Sequence, residues 1–234
     1  GRAFLITRQA CAIHCRYCFR REFPYSEQHE ETGSGRWHAA LEAIAADRGI
    51  EEVILSGGDP LSLSDARLLD LTNALQAIPH LRRLRVHTRQ PIVLPSRVDD
   101  GLLAWLGTLR LPTVFVLHTN HANEIDDAVR AACARLRGAG VMLLNQSVLL
   151  KGVNDDVDTL AELSAALFDT GVAPYYLHLP DRVRGTAHFD VPEATALRLV
   201  SELTARLSGY LVPRLVREVP GASSKTAAYP RPVT

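Results

Sequence analysis

The feature that most restricts the fold is a sixfold alternation of short apolar runs with stretches of helical period. The apolar runs are Ala3–Thr7, Glu52–Ser56, Leu84–Thr88, Thr113–His118, Val141–Ser147 and Ala173–His178. They are short, rich in Val, Ile, Leu, Tyr and Phe, and bounded by Gly, Pro or polar residues, which predicts strands. Helices are predicted over Trp37–Asp47, Asp65–Ile78, Asp99–Leu106, Glu124–Gly138, Val157–Asp169 and Pro192–Leu207. Ser64 is a candidate N-cap, Gly138 and Gly171 are stop signals, and Pro192 suits a first turn. Six β/α units imply a parallel sheet with helical crossovers, either open or wound as a partial barrel. Polar clusters follow every strand end: Cys11–Cys18, Ser56–Asp59, His87–Arg89, His118–His121, Asn145–Ser147 and His178–Asp181. An open sheet concentrates its ligand groups at one switch point, whereas a barrel gathers them from every strand end. The pattern therefore favours a barrel-like ring of loops.

At 234 residues, the chain is expected to form one domain over 1–234, since α/β barrels of this length fold as one unit. Glu22–Gly35 reads as a surface loop, and the tail Gly221–Thr234 as irregular. The chain starts on Gly1 and enters a strand almost at once, so upstream residues are expected to be missing. Lys+Arg and Asp+Glu both number 26, so the basic excess of a nucleic-acid partner is absent. No apolar run approaches the ~20 residues of a membrane span, and no signal peptide is visible, which points to a cytoplasmic protein without a membrane partner. Only two of the 26 basic residues are lysines, Lys151 and Lys225. Arginine cannot replace lysine where a neutral amine is needed, so these two positions stand out.

Cys11, Cys15 and Cys18 form a C-x3-C-x2-C run after the first strand. Cys133 falls inside a helix and reads as a small buried hydrophobe. Without a secretory signal, clustered thiols point to a metal centre rather than disulfides. Structural zinc needs a fourth ligand, for which His14 is available, but no second knuckle exists. Three thiolates also suit a [4Fe–4S] cluster with one open iron, and this is the favoured reading.

Cys11-Ala-Ile-His-Cys15-Arg-Tyr-Cys18 resembles the signature of the radical S-adenosylmethionine (SAM) enzymes, whose fold is a partial (β/α)6 barrel. Ser56-Gly57-Gly58-Asp59-Pro60 resembles that family's glycine-rich segment, which contacts the methionine amine of SAM. Its glycines are read here as giving the cofactor access to the backbone beside one carboxylate. The resemblance extends over nearly the whole chain. Arg16–Arg21, His87-Thr-Arg-Gln-Pro91, Asn120-His121, Asn145–Asp155 and Pro174-Tyr-Tyr-Leu-His178 are similar to the lysine 2,3-aminomutase family. Asp181–Phe189 and the short tail after Lys225 resemble its branch linked to elongation factor P β-lysylation.

The resemblance implies an isomerase that converts L-lysine to β-lysine with a [4Fe–4S] cluster, SAM and pyridoxal 5′-phosphate (PLP). It implies Cys11, Cys15 and Cys18 as iron ligands and Lys225 as the PLP-bearing lysine, within a segment of about 209–234. Arg2 aligns with a PLP-phosphate ligand. Ser56, Gly57, Gly58, Asp59, Gln146 and Ser147 align with SAM contacts. Arg20 aligns with the grip on the substrate α-carboxylate, a task suited to a guanidinium, and Arg21 is its alternate. Asp181 and Glu218 align with ligands of the substrate ε-ammonium, although clostridial members carry Asp in place of Glu218. Ser223 and Ser224 depart from the more glycine-rich run of those members. His118 and His121 are cavity candidates outside the catalytic set. The implied partners are L-lysine, an external electron donor and an elongation factor P ligase that receives the product. The rival readings are an aminomutase for another amino acid such as glutamate, a radical SAM enzyme without PLP, and a zinc-stabilised binding module.

Overall fold

The computed structural model describes residues 1–18, 20, 37–219, 221 and 225–228. The expected loop over Glu22–Gly35 and most of the expected tail lie outside the described residues, as do Arg21, Ser223 and Ser224. The strands are β1 (Arg2–Arg8), β2 (Glu52–Gly57), β3 (Arg83–His87), β4 (Thr113–Leu117), β5 (Met142–Val148), β6 (Ala173–His178), β7 (Arg214–Arg217) and β8 (Thr226–Ala227). The helices are α1 (His38–Ala46), α2 (Asp65–Gln76), α3 (Gln90–Val93), α4 (Asp100–Gly107), α5 (Asp127–Gly138), α6 (Val157–Asp169) and α7 (Glu193–Arg206). All six expected strands and all six expected helices are present, and β7, β8 and the single turn of α3 are additions.

The sheet order is β1 to β8 in sequence, so the chain winds in one direction. An open doubly-wound sheet reverses order at its switch point, and this one does not. The β1–β7 neighbours pair parallel, β8 pairs antiparallel to β7, and β1 and β8 are not paired with each other. The result is a barrel left open on one side.

Alternation along each strand separates two faces. Val53, Leu55, Leu84, Val86, Phe115, Leu117 and Leu143 face the helices and form the larger core. Their neighbours Ile54, Arg85, His87, Val116, His118 and Gln146 face the barrel interior. Deep in that interior Arg85 donates to both oxygens of Glu52, at 3.2 and 2.6 Å. A second core of Leu160, Leu177, Leu199, Leu203 and Leu215 lies under β6, β7 and α7. The helices begin where short polar side chains cap them. Ser64, Asp99, Asp126 and Asp156 accept from the backbone N–H of Arg67, Leu102, Val129 and Thr159. Among the described residues no helix is long and apolar enough to cross a membrane.

Candidate active site

The cysteine loop leaves β1 and packs directly on the end of β2. Gly58 N–H donates to Arg8 O (2.6 Å) and Asp59 N–H to Ala10 O (3.0 Å). Gly57 sits at φ +116°, in the region open to glycine. A Cβ on Gly58 would lie 2.3 Å from Ala10 O and 2.5 Å from Gln9 O. These glycines therefore let the backbone of the cysteine loop approach the strand end.

Asp59 is buried, and its carboxylate is turned inward. It accepts from Leu61 N–H (3.0 Å), Thr88 Oγ1 (2.7 Å) and Arg89 N–H (2.8 Å). Burial pushes its carboxyl pKa up, against the pull of those bonds. Its part in the site is to clamp the ends of β2 and β3 together.

Arg89 carries that clamp onward. Its guanidinium donates to Cys15 Sγ at 3.1 Å, to the Tyr17 hydroxyl, and to Glu124 Oε2 at 2.6 Å. Glu124 Oε1 accepts from the backbone N–H of Asn120 and His121. Asn120 donates to Tyr17 Oη (2.7 Å) and accepts from Val148 N–H (2.8 Å). A polar belt thus joins the carboxyl ends of β2 to β5 to the cysteine loop.

Cys11 is exposed, and Cys15 and Cys18 are partly buried. The Cys11 thiol is pushed up to about 11 by burial first, then by Asp59 and by the other two cysteines. The three sulfurs therefore sit within charge range of one another, and a bound cation would relieve their repulsion. Their donor chemistry fits an iron–sulfur cluster. Among the described residues no three His, Cys, Asp or Glu side chains converge on a single-ion site, and His14 is exposed. Cys133 is fully buried in α5, as expected.

The barrel interior above Arg85 is lined with neutral polar groups. His118 and His178 are held down to about 3, first by burial and then by nearby cations. His87 is likewise held well below the usual range. Gln146 Nε2 lies 2.9 Å from His118 Nε2, while Gln146 Oε1 and His87 Nε2 are buried with no hydrogen-bond partner among the described residues. Orphaned polar atoms of this kind suit a polar ligand. On the far wall Lys225 Nζ lies 2.5 Å from Glu218 Oε1, 3.3 Å from His178 Nε2 and 5.4 Å from the Tyr176 ring centroid. The neighbouring Asp181 carboxyl is pushed up by burial and by Glu218, against the pull of Lys225.

The model of a 4Fe-4S single cluster domain matches residues 1–82. The L-lysine 2,3-aminomutase of Escherichia coli (strain K12) is 51% identical over 226 residues, which are 97% of this chain and 66% of the relative. That of Haemophilus influenzae is 50% identical, with the same 97% and 66% coverage. The chain belongs to the lysine 2,3-aminomutase family. It spans just under two thirds of the length of those two relatives. The solved coproporphyrinogen III oxidase from Escherichia coli, a radical SAM enzyme, is similar at a TM-score of 0.56 with 13% identity. That likeness covers 88% of this chain and 52% of the solved one, and it concerns the fold.

Against that family, the expected residues fall into groups. Arg20 donates to Ser56 Oγ at 2.9 Å, which brings the carboxylate-grip candidate to the end of β2. Glu218, Lys225 and Asp181 meet on one wall. Glu218 takes Lys225 as its ion-pair partner, while Arg217 pairs with Glu193 at 3.0 Å. Lys151 is exposed, with its backbone N–H bonded to Phe189 O. Arg2 stands at the other end of β1 from the cysteines, in register with Glu52. Gln146 and Ser147 point to opposite faces of β5. Ser147 Oγ donates to Thr119 O (2.7 Å) on the helix side, away from the barrel interior. His121 caps the turn at Ala122–Glu124. The sequence reading missed Arg89, Glu124 and Asn120 as a unit, because Arg89 meets Glu124 across 35 residues and Asn120 meets Tyr17 across 103.

Proposed function

We propose that this chain is the catalytic barrel of a radical SAM, PLP-dependent lysine 2,3-aminomutase. It isomerises L-lysine to β-lysine by exchanging the amine and a hydrogen between C2 and C3, with no net redox change. One observation carries the reading: the cysteine loop packs on the carboxyl end of β2, and Lys225 Nζ lies 3.3 Å from His178 Nε2 at the carboxyl end of β6, on the same end of the parallel sheet. The cysteine side and the lysine side of the barrel therefore face one shared interior. When bound, the cluster with SAM supplies a radical initiator, and PLP supplies an electron-accepting ring.

The chain's own residues hold and orient. Cys11, Cys15 and Cys18 are the proposed iron ligands. Gln146 and the backbone at Ser56–Gly58 are proposed to face SAM. Lys225 is proposed to bind PLP covalently, with Arg2 at its phosphate. Arg20 is proposed to grip the α-carboxylate, and Asp181 and Glu218 the ε-ammonium. A charge-assisted contact is worth about 1.5–3 kcal/mol. Asp181→Asn or Glu218→Gln should therefore weaken lysine use by about tenfold to a hundredfold. Free cysteines and low-potential electron delivery favour a cytoplasmic setting with an external reductant. A downstream elongation factor P ligase is the proposed consumer of the product.

The test is anaerobic reconstitution with iron, sulfide, PLP, SAM and reductant, followed by a product screen over free amino acids. β-Lysine should form from lysine, and a product from glutamate instead would overturn the specificity. Borohydride should fix PLP on Lys225, and Lys225→Arg should abolish this while Lys151→Arg retains it. Cys15→Ala should lose the visible chromophore, and Cys133→Ala should keep it.

A further inference from the structure

We infer that Arg89 is a positioning residue that sets the reduction potential of the iron–sulfur centre through the sulfur of Cys15. The inference rests on the reading of Cys11, Cys15 and Cys18 as iron ligands. Three observations carry it.

The first is contact. Arg89 Nη1 lies 3.1 Å from Cys15 Sγ. A donor at that distance stabilises negative charge on a ligating sulfur. Hydrogen bonds to the sulfurs and local net charge are the levers by which a protein tunes such a centre.

The second is anchorage. The guanidinium is fixed by Glu124 and by the Tyr17 hydroxyl, and its backbone N–H by Asp59. With Arg89 held at both ends, the N–H···S contact is built into the rim of the barrel. A flexible surface arginine would be averaged away by solvent.

The third is the local balance of charge. Arg89 acts on Cys15, and Glu124 offsets part of its charge. The Arg89 side chain is mostly buried, so these charges are weakly screened. Its Nε is buried with no hydrogen-bond partner among the described residues.

The sign follows directly. Reduction by one electron adds one negative charge to the centre. A cation beside Cys15 favours the reduced form and raises the potential. Removing it lowers the potential. Removing the counter-ion Glu124 has the opposite effect, because an uncompensated Arg89 favours the reduced form more strongly.

The experiment is an anaerobic titration of the reconstituted chain with titanium(III) citrate, followed by visible absorbance and the paramagnetic signal of the reduced centre. Arg89→Met should lower the midpoint potential relative to the parent. Glu124→Gln should raise it. Arg89→Lys should fall between the parent and Arg89→Met, because an ammonium keeps the charge but cannot bridge three acceptors. Should Arg89→Met fail to hold the centre, Glu124→Gln, which keeps Arg89, decides by itself. A loaded parent whose midpoint is unmoved by these changes, or moved in the same direction by both, overturns the inference. A parent that takes up no iron and sulfide overturns the cluster reading, and this inference with it.

Discussion

Gly58 carries more of the site than its size suggests. Its absent side chain is the space in which the carbonyls of Gln9 and Ala10 lie. Gly58→Ala puts a methyl against fixed backbone, and overpacking of that kind costs about 1–3 kcal/mol. The expected outcome is a lower urea midpoint and reduced iron uptake, since the displaced segment leads straight to Cys11. Gly107→Ala is the control, because a methyl placed there meets nothing within 4 Å. Equal iron uptake by both variants would count against this account. The pair also shows what the sequence made legible at the scale of single residues. Cysteine spacing is local, so Cys11, Cys15 and Cys18 stand out unaided. The reason for Gly57 and Gly58 is a contact with a strand some fifty residues earlier, and no local pattern carries it. The inward turn of Asp59 and the outward turn of Ser147 are hidden for the same cause: each depends on a partner in another β/α unit.

The elements were more legible than the residues, because hydrophobic period and caps are local. Asp126 and Asp156 mark helix starts that packing then preserves. Strands β7 and β8 were not legible. β7 is four residues with arginine at each end, and β8 is two residues long, so neither shows alternation. Yet β7 and β8 bring Glu218 and Lys225 to the barrel wall. The strand ends also set a pH dependence. His87, His118 and His178 close β3, follow β4 and close β6, and all three are held neutral when folded. Their folded values lie below the unfolded value of 6.5. The unfolded chain then binds more protons below that point, so stability is full above it and falls as the pH drops. The slope is at most about 1.4 kcal/mol per pH unit for each histidine, less where solvent reaches the cavity. Asp59 and Asp181, with raised carboxyls, contribute the opposite slope. Urea unfolding at about pH 7.5 and about pH 5.5 should show the loss, and His118→Gln should reduce it. An identical pH dependence in parent and variant would remove His118 from this role.

At the scale of the whole molecule, one continuous sheet rests on two separate cores. The larger packs behind β1 to β5 and includes Leu55, Val86, Phe115 and Leu136. The smaller packs behind β6 and β7 and includes Leu177, Leu199, Leu203 and Leu215. Helix α6 spans the seam, with Leu163 and Leu167 in the first core and Leu160 in the second. The β5–β6 register also shifts between Asn145 and Gln146, so the ladder is irregular at the same place. The two halves of the site divide along this seam. The cysteine loop, Arg89 and Arg20 stand over the larger core, and His178, Asp181, Glu218 and Lys225 over the smaller. Regions with fewer buried contacts open at lower free energy than the global transition. A cavity in the smaller core should therefore loosen the lysine side first. Leu203 is fully buried there, and Leu203→Ala should cost about 2–5 kcal/mol. The expected result is faster amide exchange at Leu177 and Leu215 and weaker retention of PLP, with the iron–sulfur chromophore and the protection of Leu55 and Val86 unchanged. Leu136→Ala, in the larger core, should unsettle the whole barrel, because the smaller core has no second sheet to stand on. If Leu203→Ala instead releases both cofactors in one transition, with amides of both cores exchanging together, the seam does not divide the molecule and the barrel opens as one unit.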